Sequence, residues 1–205
     1  MKKIVKFGED VAGYDIPVLN EREVRAAAGI LFVMMIISIM LAIVKANFVM
    51  LKYGIIIFLI DFIIRVFINP KFSPTLIIGR LFVRNQTPEY VGAPQKKFAW
   101  IIGLVLASIM FVLVVVMNTY SPITGLICLI CLIFLFFESA FGICIGCKVY
   151  PLFNKGKVQY CPGEVCDIKS RQDIQKTSIV QIFIVIGFII AIILTGILFN
   201  NKRCV

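Results

Sequence analysis

Apolar residues in this chain run in blocks longer than a soluble helix or strand carries, separated by short stretches where charges, prolines and glycines collect. Ala26 to Val44 holds no charge and comes close to the roughly 20 residues a helix needs to cross a hydrocarbon core of about 30 Å. Lys45 closes that block, and only Ala46 and Asn47 precede the next, so the first two spans read as an antiparallel hairpin. The second block, about Phe48 to Ile68, ends at Asn69-Pro70, because a proline drives its predecessor out of the helical region. Phe98 to Met117 is the third. An uncharged turn, Asn118 to Pro122, leads into the fourth from Ile123, and Ser178 to Phe199 is the fifth. The expected fold class is all-α, a polytopic membrane helical bundle of five transmembrane helices.

Shorter patterns refine this picture. Asn20 with Glu23 matches a capping box, so the first helix starts in water and enters the bilayer near Ala26. Pro74 to Arg84 is too short and charged to cross. With Arg80 and Arg84 among Leu76, Ile77, Leu81 and Phe82 it suits a short interfacial helix, the alternative being an ordinary connecting loop. Lys96 and Lys97 mark the entry of the third span, with Trp100 where an indole prefers the interface. The resulting organisation is a cytoplasmic arm over 1–19, a four-helix membrane domain over 20–153, a cysteine-bearing cytoplasmic loop over 154–177, and the fifth helix and tail over 178–205.

Composition agrees: 60% of the 205 residues are hydrophobic, well above the roughly half of a soluble domain. The charge of +10 raises the question of nucleic acid, but the basic residues are spread over short loops beside apolar spans, so nucleic-acid binding is not expected and membrane lipid is. Lys and Arg number sixteen on the side of the amino terminus and three on the other, with Lys52 and Arg65 inside the second span. That asymmetry places the amino terminus in the cytoplasm. Acidic residues from Glu9 to Glu23 precede the first apolar run, which is not the order of a cleaved signal peptide. No internal repeat is seen.

Three groups carry candidate chemistry. Six of the seven cysteines lie between Ile123 and Cys166. Cys144-Ile-Gly-Cys147 ends the fourth span, and Cys161-Pro-Gly-Glu-Val-Cys166 follows in the next loop, where a Pro-Gly turn would draw its thiols together. Such spacing permits a zinc or iron-sulfur site on Cys144, Cys147, Cys161 and Cys166, or thiol exchange among the four. Gly146 gives the first pair backbone freedom, and Lys148 favours its thiolate. A permanent disulfide does not suit the reducing cytoplasm. Cys128 and Cys131, deep in the fourth span, read as packed hydrophobes. Asp61 and Arg65 share a helical face, either lining a polar path or forming a neutralised pair with Arg65 snorkelling to the interface. Glu138 is the third feature, with Arg65 as candidate partner, and serves as proton carrier or as member of a structural ion pair.

The run Ala140-Phe-Gly-Ile-Cys144-Ile-Gly-Cys147-Lys-Val-Tyr150, with Asn69-Pro-Lys-Phe-Ser-Pro74 after the second span, resembles a bacterial integral-membrane family described as domain of unknown function 4395. The likeness covers roughly Asn20 to Phe153. It implies a four-span fold, an inner-membrane location and Cys144 with Cys147 as the shared site. Family members occur beside genes of thioredoxin and sulfurtransferase type, which implies a cytoplasmic partner of that kind. Glu138 stands where the family usually has Asn or a small residue, and the Cys161 to Cys166 loop and fifth span extend the family pattern. The expected function is handling of thiol, persulfide or inorganic sulfur at the cytoplasmic face. The alternatives are a four-thiolate metal protein and a transporter subunit for a sulfur species.

Overall fold

A computed structural model describes residues 7–11 and 14–153, together with helical positions at Ile179, Phe183, Ile186, Gly187 and Ile190. The chain divides into two units, Met1–Cys166 and Asp167–Val205. Everything below concerns the first. Cys161, Cys166 and most of the fifth predicted span lie outside the described residues.

Strand β1 (Val18–Asn20) leads directly into helix α1 (Glu21–Lys45) and pairs antiparallel with β2 (Tyr90–Gly92), which leads into α4 (Ala93–Met110). This ribbon, unexpected from sequence, ties together the starts of two helices. Asn20 caps α1: its Oδ1 accepts from Arg22 N at 3.2 Å and its Nδ2 donates to Glu23 Oε1 at 3.1 Å. The predicted box is thus realised through the cap's side chain. Glu23 Oε2 accepts from Arg80 on another helix, at 3.0 and 2.9 Å.

α1 ends at Ala46 in the left-handed region, and α2 (Val49–Ile63) returns antiparallel as expected. It continues as a π-helical turn (Ile64–Ile68) until Asn69-Pro70 stops it. A 3-10 turn (Pro70–Phe72) and the cap Ser73 then start α3 (Pro74–Val83). α3 is a true helix lying on α1. At Gly79 a Cβ would stand 2.9 Å from Glu23 O and 3.1 Å from Ala27 N, so only glycine permits this approach.

α4 starts earlier than expected and runs on into a π-helical turn (Phe111–Val116). α5 (Pro122–Phe141) follows the turn at Asn118, and Gly142 at φ +65° ends it. The fourth span therefore stops before the cysteine motif. A separate helix, α6 (Ile145–Phe153), carries Cys147 and packs on α4.

Three of the six helices among the described residues are long and apolar enough to cross a membrane: α1, α4 with its π turn, and α5. At most 33% of the residues in their apolar windows are buried, so the greater part of each apolar surface faces outward, as lipid solvation requires. The inward face of α1 is a stripe of mostly small residues, including Ala27, Ala28, Leu31, Met35, Ser38 and Ala42. Ser38 Oγ donates back to Met34 O at 2.8 Å, which satisfies the hydroxyl within its own helix.

Candidate functional site

Charges that sequence places in loops or scattered along spans are gathered inside the bundle at one end. Lys96, which was expected at the water boundary, is fully buried because α4 begins at Ala93 and turns this residue inward. Its Nζ donates to Glu138 Oε1 at 2.7 Å and meets Glu21 Oε2 at 2.8 Å as an ion pair without hydrogen-bond alignment. One ammonium thus joins the first turn of α1, the first turn of α4 and the last turn of α5. The expected partnership of Glu138 with Arg65 is replaced by this one. Lys96 can reach both carboxylates, whereas Arg65 is already engaged.

Arg65 does not snorkel. It is buried, with Nε 2.7 Å from Asp61 Oδ2 and Nη2 donating to Thr75 Oγ1 at 2.6 Å. Asp61 accepts from Ser73 Oγ at 2.7 Å, Thr75 N at 3.1 Å and Thr75 Oγ1 at 2.8 Å. The Asn69 to Thr75 segment therefore wraps the Asp61–Arg65 pair and satisfies it. Asp61 and Arg65 form a closed joint between α2 and α3, and its donors and acceptors are used on one another. Arg65 also lies over the rings of Phe62 and Trp100, at 4.9 and 5.1 Å from their centroids. Trp100 is buried rather than interfacial, with Phe7 edge-on at 5.7 Å.

Beside these clusters lie the cysteines. Cys144 occupies the turn between α5 and α6, and Cys147 the first turn of α6; both are buried and free. Cys147 N donates to Cys144 Sγ at 3.3 Å, so Cys144 occupies the capping position of α6. Hydrogen bonding to Cys144 holds the Cys147 thiol well above its ordinary range; burial adds to this, and the Lys96 charge opposes it. The buried Lys96 is thus a cation that acts on the Cys147 thiol. Gly146 serves close approach instead of backbone freedom: a Cβ there would lie 2.6 Å from Ala99 Cβ and 2.7 Å from Ala99 Cα.

A cavity of about 40 Å³ has Cys131, Glu138, Cys144 and Trp100 among its lining residues. Cys128 lies deeper among Met35, Ile55 and Phe58, in keeping with a packing role. Among the described residues, no group of three or more His, Cys, Asp or Glu side chains is placed to hold a metal ion.

Residues 19–155, more than half of the chain, match the family described as Domain of unknown function (DUF4395). The chain belongs to this family. The match takes in the Asn69 to Thr75 wrap, Lys96, Glu138 and the motif cysteines Cys144 and Cys147, and stops before Cys161. No curated protein and no solved structure matches the chain. The protein is a membrane protein of the DUF4395 family, whose description names no activity.

Glu21, Lys96, Ser73 and Thr75 are the site residues that sequence reading missed. Ala93-Pro94 was the available signal, since proline favours the first helical position and would have moved Lys96 from loop to helix.

Proposed function

We propose that Cys144 and Cys147 form a membrane-associated dithiol that exchanges with disulfide or persulfide substrates at the cytoplasmic face. The observation that carries this reading is the hydrogen bond from Cys147 N to Cys144 Sγ at the start of α6. It supports a reading in which Cys144 attacks first and Cys147, whose thiol is held protonated, resolves. In the forward step the Cys144 thiolate attacks one sulfur of a substrate disulfide. That S–S bond breaks, and the departing thiolate takes up a proton. Cys147 then loses its proton, and its sulfur attacks Cys144 Sγ and displaces the second substrate thiol. The substrate gains two electrons and two protons, and a Cys144–Cys147 disulfide remains. A thioredoxin-like cytoplasmic protein would return the pair to dithiol by the reverse sequence. Attack on the outer sulfur of a persulfide would instead move one sulfur atom onto Cys144.

The same reading places α2 with its π turn as a further span, the amino terminus and α6 on the cytoplasmic side of a bacterial inner membrane, and α3 at the interface. The sixteen-to-three distribution of Lys and Arg supports that orientation. Glu138 supports the thiol reading because it lines the same cavity as Cys144, where a carboxylate paired with Lys96 can pass protons. Cys161 and Cys166 would resolve or relay, or complete a zinc or iron-sulfur site.

Trapping tests the proposal. Cys147→Ser should accumulate a mixed disulfide with the thioredoxin-like partner, resolved by reductant, while Cys144→Ser should accumulate none. Stoichiometric zinc or iron in purified protein, lost on Cys161→Ser, would replace exchange with metal binding.

A further inference from the structure

We propose that a polar cavity beside the amino-terminal arm binds a ligand through a phosphate group, held by Trp100 Nε1, Lys71 and Arg80. The cavity measures about 310 Å³, and its described walls come from the arm, β1, α1, the Asn69 wrap, α3 and Trp100. Such a volume lies at the lower end of small-molecule sites and exceeds what a bare phosphate fills. Trp100 is 2% exposed, yet its Nε1 finds no acceptor among the described residues. Buried donors are nearly always paired, so an unpaired indole N–H in a cavity wall points to an acceptor arriving from outside.

The other polar groups of the wall supply donors in excess. Lys71 Nζ meets Glu9 Oε1 at 2.9 Å and has two further N–H bonds to give. Arg80 directs Nε and Nη2 to Glu23 Oε2, which leaves Nη1 for a ligand. The carboxylates are already occupied by these cations and by Asn20. Lys71 and Glu9 are both about half exposed, at 51% and 50%, so their pair is weak and exchangeable. Three donors from three separate elements suit the terminal oxygens of a phosphate better than the two of a carboxylate. The phosphate could belong to a soluble ester or to an anionic lipid; α3 exposes Leu81 and Phe82 next to Arg80, where acyl chains could lie. No cysteine takes part, so this site stands apart from the thiol reading.

Trp100 is the single tryptophan, so all indole emission comes from one ring, which walls this cavity and the one beside Cys144, and Lys71→Gln assigns a change to this cavity. The full chain in dodecyl maltoside would be titrated with glycerol 3-phosphate in one arm and dihexanoyl phosphatidylglycerol in the other, with glycerol as control. Saturable change in the first arm identifies a soluble phosphate ester, and in the second alone a lipid headgroup. Lys71→Gln should weaken the response about tenfold, the scale of one charge-assisted hydrogen bond. Trp100→Phe, followed by calorimetry, should weaken binding similarly. A flat response in both arms, a response equal to that of glycerol, or one untouched by Lys71→Gln overturns the proposal.

Discussion

Lys96→Met removes the ammonium that pairs with both Glu21 and Glu138 and leaves two carboxylates near each other inside the bundle. Lys96 is wholly buried, Glu21 is 2% exposed and Glu138 14%. Removing one partner of a buried pair costs about 3–5 kcal/mol, because the remaining charge keeps its desolvation penalty and loses its compensation. Here two carboxylates are stranded, while proton uptake by one of them and the partial exposure of Glu138 pull the figure toward the lower end. For a chain of this size, 1 kcal/mol moves the melting temperature by about 2–4 °C, so a fall on the order of 10 °C is expected. Thermal unfolding in dodecyl maltoside at pH 7, followed by Trp100 emission, would measure it. Combining Lys96→Met with Glu21→Gln and Glu138→Gln removes all three charges of this cluster at little change in volume and should recover at least half the loss. A Lys96→Met protein melting within about 2 °C of wild type would refute the claim that this ammonium fastens α1, α4 and α5 together.

Other consequences follow from the same geometry. Thr75→Val deletes the hydroxyl that bridges Arg65 and Asp61 and should cost about 1–3 kcal/mol in the same assay, whereas Thr75→Ser should cost less. Gly146→Ala drives a methyl into Ala99, so α6 should lift from α4 at a cost of about 1–3 kcal/mol, and maleimide should label Cys144 and Cys147 faster. In the wild-type protein, mass spectrometry after brief alkylation near neutral pH should find Cys144 modified before Cys147, whose thiol Cys144 and burial hold in the protonated form. Equal labelling of the two would oppose that order.

The lengths of the apolar blocks were enough to locate α1, α4 and α5, the tight return from α1 to α2, and the stop at Asn69-Pro70. A membrane helix advertises itself by being apolar on every side, and proline ends it for a local reason. Pairing across the bundle was not legible. Lys96 meets Glu21 and Glu138 from distant points in the chain, and a lysine at a span boundary carries the same local signal whether it faces water or turns inward. The three-residue strands are too short for any alternation to show. The break between α5 and α6 was present as Gly142, but the apolar run through Ile143 and Ile145 hid it. Of the site, the Cys144–Cys147 spacing and the Asp61–Arg65 spacing were read directly. The Ser73 and Thr75 groups that close around Asp61 were not, because side-chain hydrogen bonding leaves no periodicity.

The most direct measurement is a redox titration of the Cys144–Cys147 pair in the intact protein, poised in glutathione buffers and read by alkylation and mass spectrometry. The account predicts that both thiols protect together in one two-electron transition, with a midpoint within the range of about −120 to −300 mV that exchanging dithiols occupy. Two thiols that remain alkylatable at every potential, or that protect only one at a time, would contradict it.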